Sequence, residues 1–486
     1  MKFFQRTAPN DLLKPPKEPL RPLKRRGFCA TFLCLLCFLS VGLGACRPQG
    51  ASGPPKRSKD TTPSSVEQGR AKEKERVLLW TKELLEGCPE ELIASFDEAV
   101  AKSLSKEALE AALKGTVSTL GPRRDGEALA AEFKDGKHWM VYAPYEKASL
   151  RMTYVLNDAA KVSGIWLAPA SIEEYQGALG KKEVLPAGIK EREVAIGPWA
   201  LRGYFCSGAK EKALPVVVLL VPGSGPQDAN ETLGPNHPLK DLAHGLAERG
   251  IATLRFDKRT YQPKQSLDPS KMTVQEEYLE DLEAAWAWLL QQKDLQGYYI
   301  GYLGHSLGGM LIPALAKAHP KTLGWVSLAG SPRHLLDIIF DQNKALLAQD
   351  TTRNPAQKEA LLKQLQETIE KGKRVSALDS GTTLTLPNAY LGSLNALKLT
   401  ENAQALQSPI LILRGAADQQ VFEADQQAWK AALSKNPKAE FKTYPGLNHL
   451  FLPTQGKPIP EDYAVPGTIP SQVLEDLAAF FKKLVP

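Results

Sequence analysis

Ser306 stands in Gly304-His305-Ser306-Leu307-Gly308, a G-x-S-x-G pentapeptide between an aromatic and β-branched run at 298–303 and an apolar stretch at helical spacing after Gly309. A serine turned out of a strand into a helix N-terminus sits in strained backbone geometry, which small flanking residues permit and which exposes its hydroxyl. A hydroxyl is a poor nucleophile until an imidazole takes its proton, and the imidazole needs a carboxylate to fix its tautomer and steady its charge. The serine therefore asks for one histidine and one acid. Of the seven histidines, His138, His237 and His244 precede it, His305 lies inside the turn and His319 ends the next helix. His449 sits in Pro445-Gly446-Leu447-Asn448-His449-Leu450-Phe451, a loop just past the last strand, from which a ring reaches back over a sheet. Asp418, a few residues beyond the run Ile410-Leu411-Ile412-Leu413-Arg414-Gly415, supplies the carboxylate. Asp425 is the rival, in the following helix, and Asp418 also fits the position of a helix cap.

Negative charge developing on a substrate oxygen needs two preset N–H donors. One is the amide of Leu307, after the serine. The other falls in Pro222-Gly223-Ser224-Gly225-Pro226-Gln227-Asp228, which follows the apolar run at 216–221; Ser224 is favoured, with Gly225 as the alternative. The Ser, Asp, His order, with G-H-S-L-G-G, R-G-A-A-D and N-H-L-F, resembles the α/β-hydrolase superfamily over about residues 188–486. G-S-G-P-Q-D and the segment before it are similar to bacterial esterases related to dienelactone hydrolases that carry a small domain in front. Dienelactone hydrolases proper have cysteine where this chain has Ser306. The resemblance implies hydrolysis of a small-molecule carboxylic ester through an acyl-serine, with no cofactor or metal. A peptidase or acyltransferase would use the same three residues, and a non-catalytic binding protein is a further reading.

These groups need a sheet to hold them. Strands at 216–221, 251–256, 299–303, 323–328, 409–413 and 439–444 alternate with helices at 241–249, 274–291 and 471–484, after a hairpin at 193–196 and 200–205. That alternation predicts an α/β fold, a mostly parallel sheet flanked by helices with the working groups at the strands' carboxyl ends. Residues 332–406 interrupt it as a helical cap, whose Leu336, Ile339, Phe340 and Leu347 either line an acyl pocket or pack its helices. Residues 76–180 read as a small α+β domain: helices at 77–85 and 92–113, broken at Gly87-Cys88-Pro89, then strands at 139–142, 150–156 and 162–167.

The net charge of +7 is concentrated in residues 1–46, which hold eight Lys and Arg against Asp11 and Glu18. The remainder is close to neutral, so nothing points to a nucleic-acid partner. Residues 1–26 are basic, 28–43 are an apolar run short for a permanent membrane span, and Leu43-Gly44-Ala45-Cys46 resembles the bacterial lipobox. This is a secretory leader ending at a lipidated Cys46, which implies anchoring to a membrane outside the cytoplasm. Lys24-Arg25-Arg26-Gly27-Phe28 partly resembles a twin-arginine signal, although the very apolar core favours the general secretory route. Residues 47–75, rich in proline and charge, read as a tether that holds the body on the order of 30 Å from the anchor. Only two of the six cysteines, Cys88 and Cys206, lie in the body; they read as buried free thiols, with a single bridge as the alternative.

Overall fold

The computed structural model describes residues 65–124, 126–134, 137–181, 184–262, 267–459 and 461–486, with side chains from residue 69 onward. The leader, Cys46 and residues 47–64 of the expected tether lie outside the described residues. Among those described, no helix is long and apolar enough to cross a membrane.

The first helix, α1 (Ser65–Leu85), begins inside the stretch expected to be tether. Its charged face is tied down: Glu73 accepts a 3.0 Å hydrogen bond from the Trp139 indole, and the Arg70 guanidinium lies 4.7 Å from the Phe133 ring centre. The single helix expected at 92–113 is instead three, α2 (Glu90–Ala94), α3 (Glu98–Ser103) and α4 (Lys106–Val117). Side chains make the breaks, because Asp97 caps the amide of Val100 and Ser105 that of Ala108. Against these helices packs a four-stranded antiparallel meander, β1 (Ala130–Lys134), β2 (His138–Pro144), β3 (Ser149–Leu156) and β4 (Val162–Ala170), followed by α5 (Ile172–Ala178). Cys88 is exposed rather than buried, Cys206 is buried, and both are free.

The second sheet has eight strands: β5 (Lys190–Ile196), β6 (Leu201–Ser207), β7 (Val216–Val221), β8 (Ala252–Phe256), β9 (Tyr299–His305), β10 (Trp325–Leu328), β13 (Ile410–Gly415) and β14 (Ala439–Tyr444). Their spatial order is β14-β13-β10-β9-β7-β8-β6-β5, parallel from β14 to β8 and antiparallel through the β6 and β5 hairpin. Every residue of β7 is buried, as a central strand covered on both faces must be. The helices that cover it are α6 (Pro238–Glu248), α7 (Glu280–Gln291), α8 (Leu307–Met310), α9 (Ile312–Ala318), α14 (Glu423–Ala432) and α15 (Ser471–Leu484). A π-helical turn, Gln275–Leu279, leads into α7.

Between β10 and β13 the chain leaves the sheet for α10 (Leu335–Gln349), α11 (Pro355–Gly372), the two-residue ribbon strands β11 (Thr382–Thr383) and β12 (Leu386–Pro387), α12 (Asn388–Ala396) and α13 (Leu399–Gln404). Of the two roles open to the cap's apolar residues, Leu336 and Ile339 take packing. Leu335, Ile338 and Gln342, spaced for one helix face, border the serine's cavity, whereas Leu336 and Ile339 are fully buried in the hydrophobic core that the cap shares with the sheet.

Candidate active site

The serine leaves β9 in a backbone state that side chains avoid, with Ser306 at φ 49° and ψ −116°. Such a conformer costs about 1–3 kcal/mol and persists only where its surroundings enforce it. Here the Ser306 amide donates to the Leu328 carbonyl at 2.8 Å, and the Met310 amide donates to the Ser306 carbonyl at 3.0 Å. The flanking glycines are obligatory for space. A Cβ on Gly304 would lie 2.3 Å from the Gly308 backbone, and one on Gly308 would lie 2.7 Å from the Pro222 carbonyl oxygen. The same crowding sets the serine directly beside the loop after β7.

Asp418 and His449 meet in the loops after β13 and β14, where His449 Nδ1 donates to Asp418 Oδ2 at 2.8 Å and both side chains are buried. The other carboxylate oxygen, Oδ1, accepts from the amides of Gln420 (2.7 Å) and Val421 (2.9 Å). Both carboxylate oxygens of Asp418 are therefore engaged and its orientation fixed, and Nε2 is the ring nitrogen of His449 that Asp418 leaves unengaged. His449 and Ser306 line the same cavity. Asp425 serves a separate purpose: it accepts from the Phe422 amide (2.8 Å), the Ser331 hydroxyl (2.7 Å) and Arg333 (3.2 Å), fixing the start of α14 to the loop after β10.

The loop after β7 is gripped from beneath. Gly225 donates its amide to Glu277 Oε1 at 3.1 Å, and Gly223 donates its amide to Glu231 Oε1 at 2.6 Å. Between them the Ser224 amide has no acceptor among the described residues, and Ser224 and Leu307 border the cavity that holds Ser306. The Gly223 carbonyl accepts from the Tyr278 hydroxyl and, at 3.1 Å, from the Lys258 ammonium. Lys258 also pairs with Glu277 at 2.5 Å and lies 3.7 Å from the Tyr278 ring centre. Burial pushes the Lys258 ammonium down from its ordinary pKa, with Glu277 opposing the shift. His305 points away from the serine: Nδ1 lies 2.8 Å from Glu231 Oε1 and Nε2 lies 2.9 Å from the His449 carbonyl oxygen.

Esterase EstD of Thermotoga maritima is 32% identical over 339 residues, an alignment that covers 70% of this chain and 78% of EstD. The chain belongs to the α/β-hydrolase family of serine esterases. A family model described as serine aminopeptidase, S33, also matches residues 237–454 of the hydrolase. Among solved structures, the Pyrococcus furiosus esterase Pf2001 is 16% identical with a TM-score of 0.39, covering 61% of this chain and 91% of that one. Est1E from Butyrivibrio proteoclasticus is 15% identical with a TM-score of 0.39, covering 60% and 98%.

Several groups that shape this hydrolase's site escape motif reading. Lys258, Glu277, Tyr278 and Glu231 are scattered along the sequence and meet only beneath the β7 loop. One signal was available: Asp257-Lys258-Arg259 places three successive charges at the end of a buried strand, and all three are buried. Each is paired, Asp257 with Arg202 at 3.0 Å, Lys258 with Glu277, and Arg259 with Asp281 at 2.9 Å. Away from the serine, ligand atoms of Glu191, Cys206 and His244 lie within 4.8 Å of one another. That carboxylate already holds Arg255 at 2.7 Å, and burial pushes the Cys206 thiol up to about 12, so the set is built as an ion pair.

Proposed function

We propose that the chain is a carboxylesterase that works through an acyl-serine, tethered outside the cytoplasm by a lipid on Cys46. The observation that carries the catalytic part is the 2.8 Å bond from His449 to a carboxylate locked by two amides, in a cavity shared with a strained serine. In this reading Ser306 Oγ attacks the ester carbonyl while His449 Nε2 takes its proton, and Asp418 stabilises the imidazolium that forms. The amides of Leu307 and Ser224 donate to the oxyanion of the tetrahedral intermediate. Collapse breaks the C–O bond of the leaving alcohol, which receives the proton back from His449. Water, deprotonated by the same imidazole, then releases the acid.

The amide of Gly225, the alternative oxyanion donor, is taken by Glu277, whereas the Ser224 amide has no acceptor among the described residues, which supports Ser224 as the donor. Ser306→Ala is expected to lower kcat for p-nitrophenyl acetate by about four to six orders of magnitude, because nucleophile and base act as a unit. Turnover within tenfold of wild type would remove Ser306 from this role. The aminopeptidase family model favours a second reading, amide hydrolysis by the same residues. Parallel kcat/KM values for alanyl p-nitroanilide and p-nitrophenyl acetate decide between them, with the ester expected to lead.

A further inference from the structure

Two small cavities, each of about 40 Å³, flank Ser306, share Ser224, Gln420 and His449, and differ in their other lining side chains. The one beneath the cap is walled by Met310, Leu335, Ile338 and Val421. At roughly 10–15 Å³ per water-sized group it has room for about three such groups, the size of an acetyl or propionyl chain. The other is bordered by Leu233 and Leu450 and by the polar side chains of Gln227, Glu231, Gln420 and Tyr463. Glu231 is 1% exposed, and its Oε2 has no hydrogen-bond partner among the described residues. A buried acceptor left unpaired beside a catalytic serine is poised for a donor that arrives with the substrate.

Gln227, whose amide donates to the Ser224 carbonyl at 3.2 Å, also borders a much larger cavity of about 960 Å³. That cavity lies between the two domains, with Met140, Arg151 and Glu174 on the side of the front domain and Arg202, Asp257 and Tyr261 on the hydrolase side. Its charged side chains balance, Lys134, Arg151, Arg202 and Lys240 against Glu173, Glu174, Asp228 and Asp257, and two pairs close within the wall, Arg151 with Glu174 at 2.9 Å and Arg202 with Asp257 at 3.0 Å. Such a wall repels neither sign and rewards neither, but offers many N–H donors and carboxylate lone pairs to a neutral, hydroxyl-rich ligand. Trp199 and the 45% exposed Tyr261 add aromatic rings of the kind that cover the apolar face of a pyranose.

Resting on the esterase reading, we infer that the alcohol half of the substrate is a carbohydrate bound in this interdomain cleft, and that the enzyme removes a short acyl group from it. The acyl chain enters the small apolar cavity, a neighbouring sugar hydroxyl donates to Glu231, and the rest of the saccharide extends past Gln227 to the front domain. The front domain is then a specificity element for the leaving alcohol. The volume fits, since ligand sites commonly run from about 300 to 1,000 Å³.

The test compares kcat/KM of the full chain for acetylated xylobiose and for 1-naphthyl acetate, two acetates with a polar and an apolar alcohol. The sugar ester is expected to lead by at least tenfold. Met140→Trp, which fills the cleft from the front domain, and Tyr261→Ser, which removes the ring from the opposite side, are each expected to cut that ratio at least tenfold, through KM. Equal values for the two esters in wild type, or a ratio that neither variant moves, overturns the cleft assignment and leaves the esterase reading standing. Failure to turn over p-nitrophenyl acetate at all overturns the esterase reading and this inference with it.

Discussion

The Glu231 carboxylate touches the β7 loop through the Gly223 amide and the serine turn through His305, and His305 in turn holds the carbonyl of His449. Three loops that carry the proposed oxyanion donor, nucleophile and base are thereby pinned to one another by two side chains. Burial disfavours a charged His305, but the Glu231 charge and hydrogen bond and the His449 carbonyl outweigh it and raise its pKa. Only the charged ring can donate from both nitrogens at once. A histidine with a raised folded pKa contributes stability that is full below about pH 6.5 and is lost as pH rises through the folded value. Glu231→Gln is therefore expected to lower stability in urea most at acidic pH, with the gap to wild type narrowing under alkaline conditions. Displacement of the loops should also lower kcat for simple esters by about 10- to 100-fold. A loss of stability independent of pH, with kcat unchanged, would reduce the pair to packing.

At the scale of elements, α6 places Asp241 where it accepts a 3.1 Å bond from the amide of Ile469, just ahead of α15. Burial pushes this carboxyl up to about 6, the Ile469 bond and nearby charges offsetting only part of the shift. Between about pH 4 and pH 6 the folded protein holds a proton that the unfolded chain has released, so stability falls as pH rises through that window. Asp241→Asn retains an acceptor for the amide and removes the buried charge. It is expected to gain about 1–3 kcal/mol near neutrality, the gain shrinking toward zero near about pH 4, as read by urea unfolding at the two pH values. The same elements show what sequence can carry. Ser306 and Asp418 could be singled out because each follows a strongly apolar strand, and His449 by its loop after the mixed strand β14, since strand ends locate loops at one rim of a parallel sheet. The break-up of 92–113 into three helices was written in Asp97 and Ser105, but an apolar stripe that runs through both hides the caps. The grip of Lys258, Glu277 and Tyr278 on the β7 loop was not legible: it depends on a π-helical turn that faces the end of β8, a relation no local pattern encodes. Which face of α10 borders the serine's cavity was left open for a related reason, because both of its faces are apolar and only the packing beneath decides between them.

For the molecule as a whole, almost all of the +7 net charge lies in residues 1–46, leaving about +1 for the chain beyond Cys46. Attraction to an anionic bilayer is worth about 1 kcal/mol for each Lys or Arg near the surface, so a body this close to neutral gains little from it by itself. On the proposed lipid-anchor reading, lasting attachment comes from acyl chains, at about 0.8 kcal/mol per buried methylene, with more than one chain needed for stability. This separates the lipid-anchor proposal from simple adsorption. The protein is expected to stay with membranes in about 1 M salt, where charge attraction is screened within roughly 3 Å, and to leave them in detergent. Intact mass of the detergent-extracted protein should show a chain that starts at a lipid-modified Cys46. Cys46→Ser should abolish both the lipid mass and this processing, while p-nitrophenyl acetate turnover persists. Release of the wild type by salt, or a mass that retains residues 1–45, would end the anchor assignment and leave the chemistry at Ser306 untouched, because the sheet that positions it begins far downstream, at Lys190.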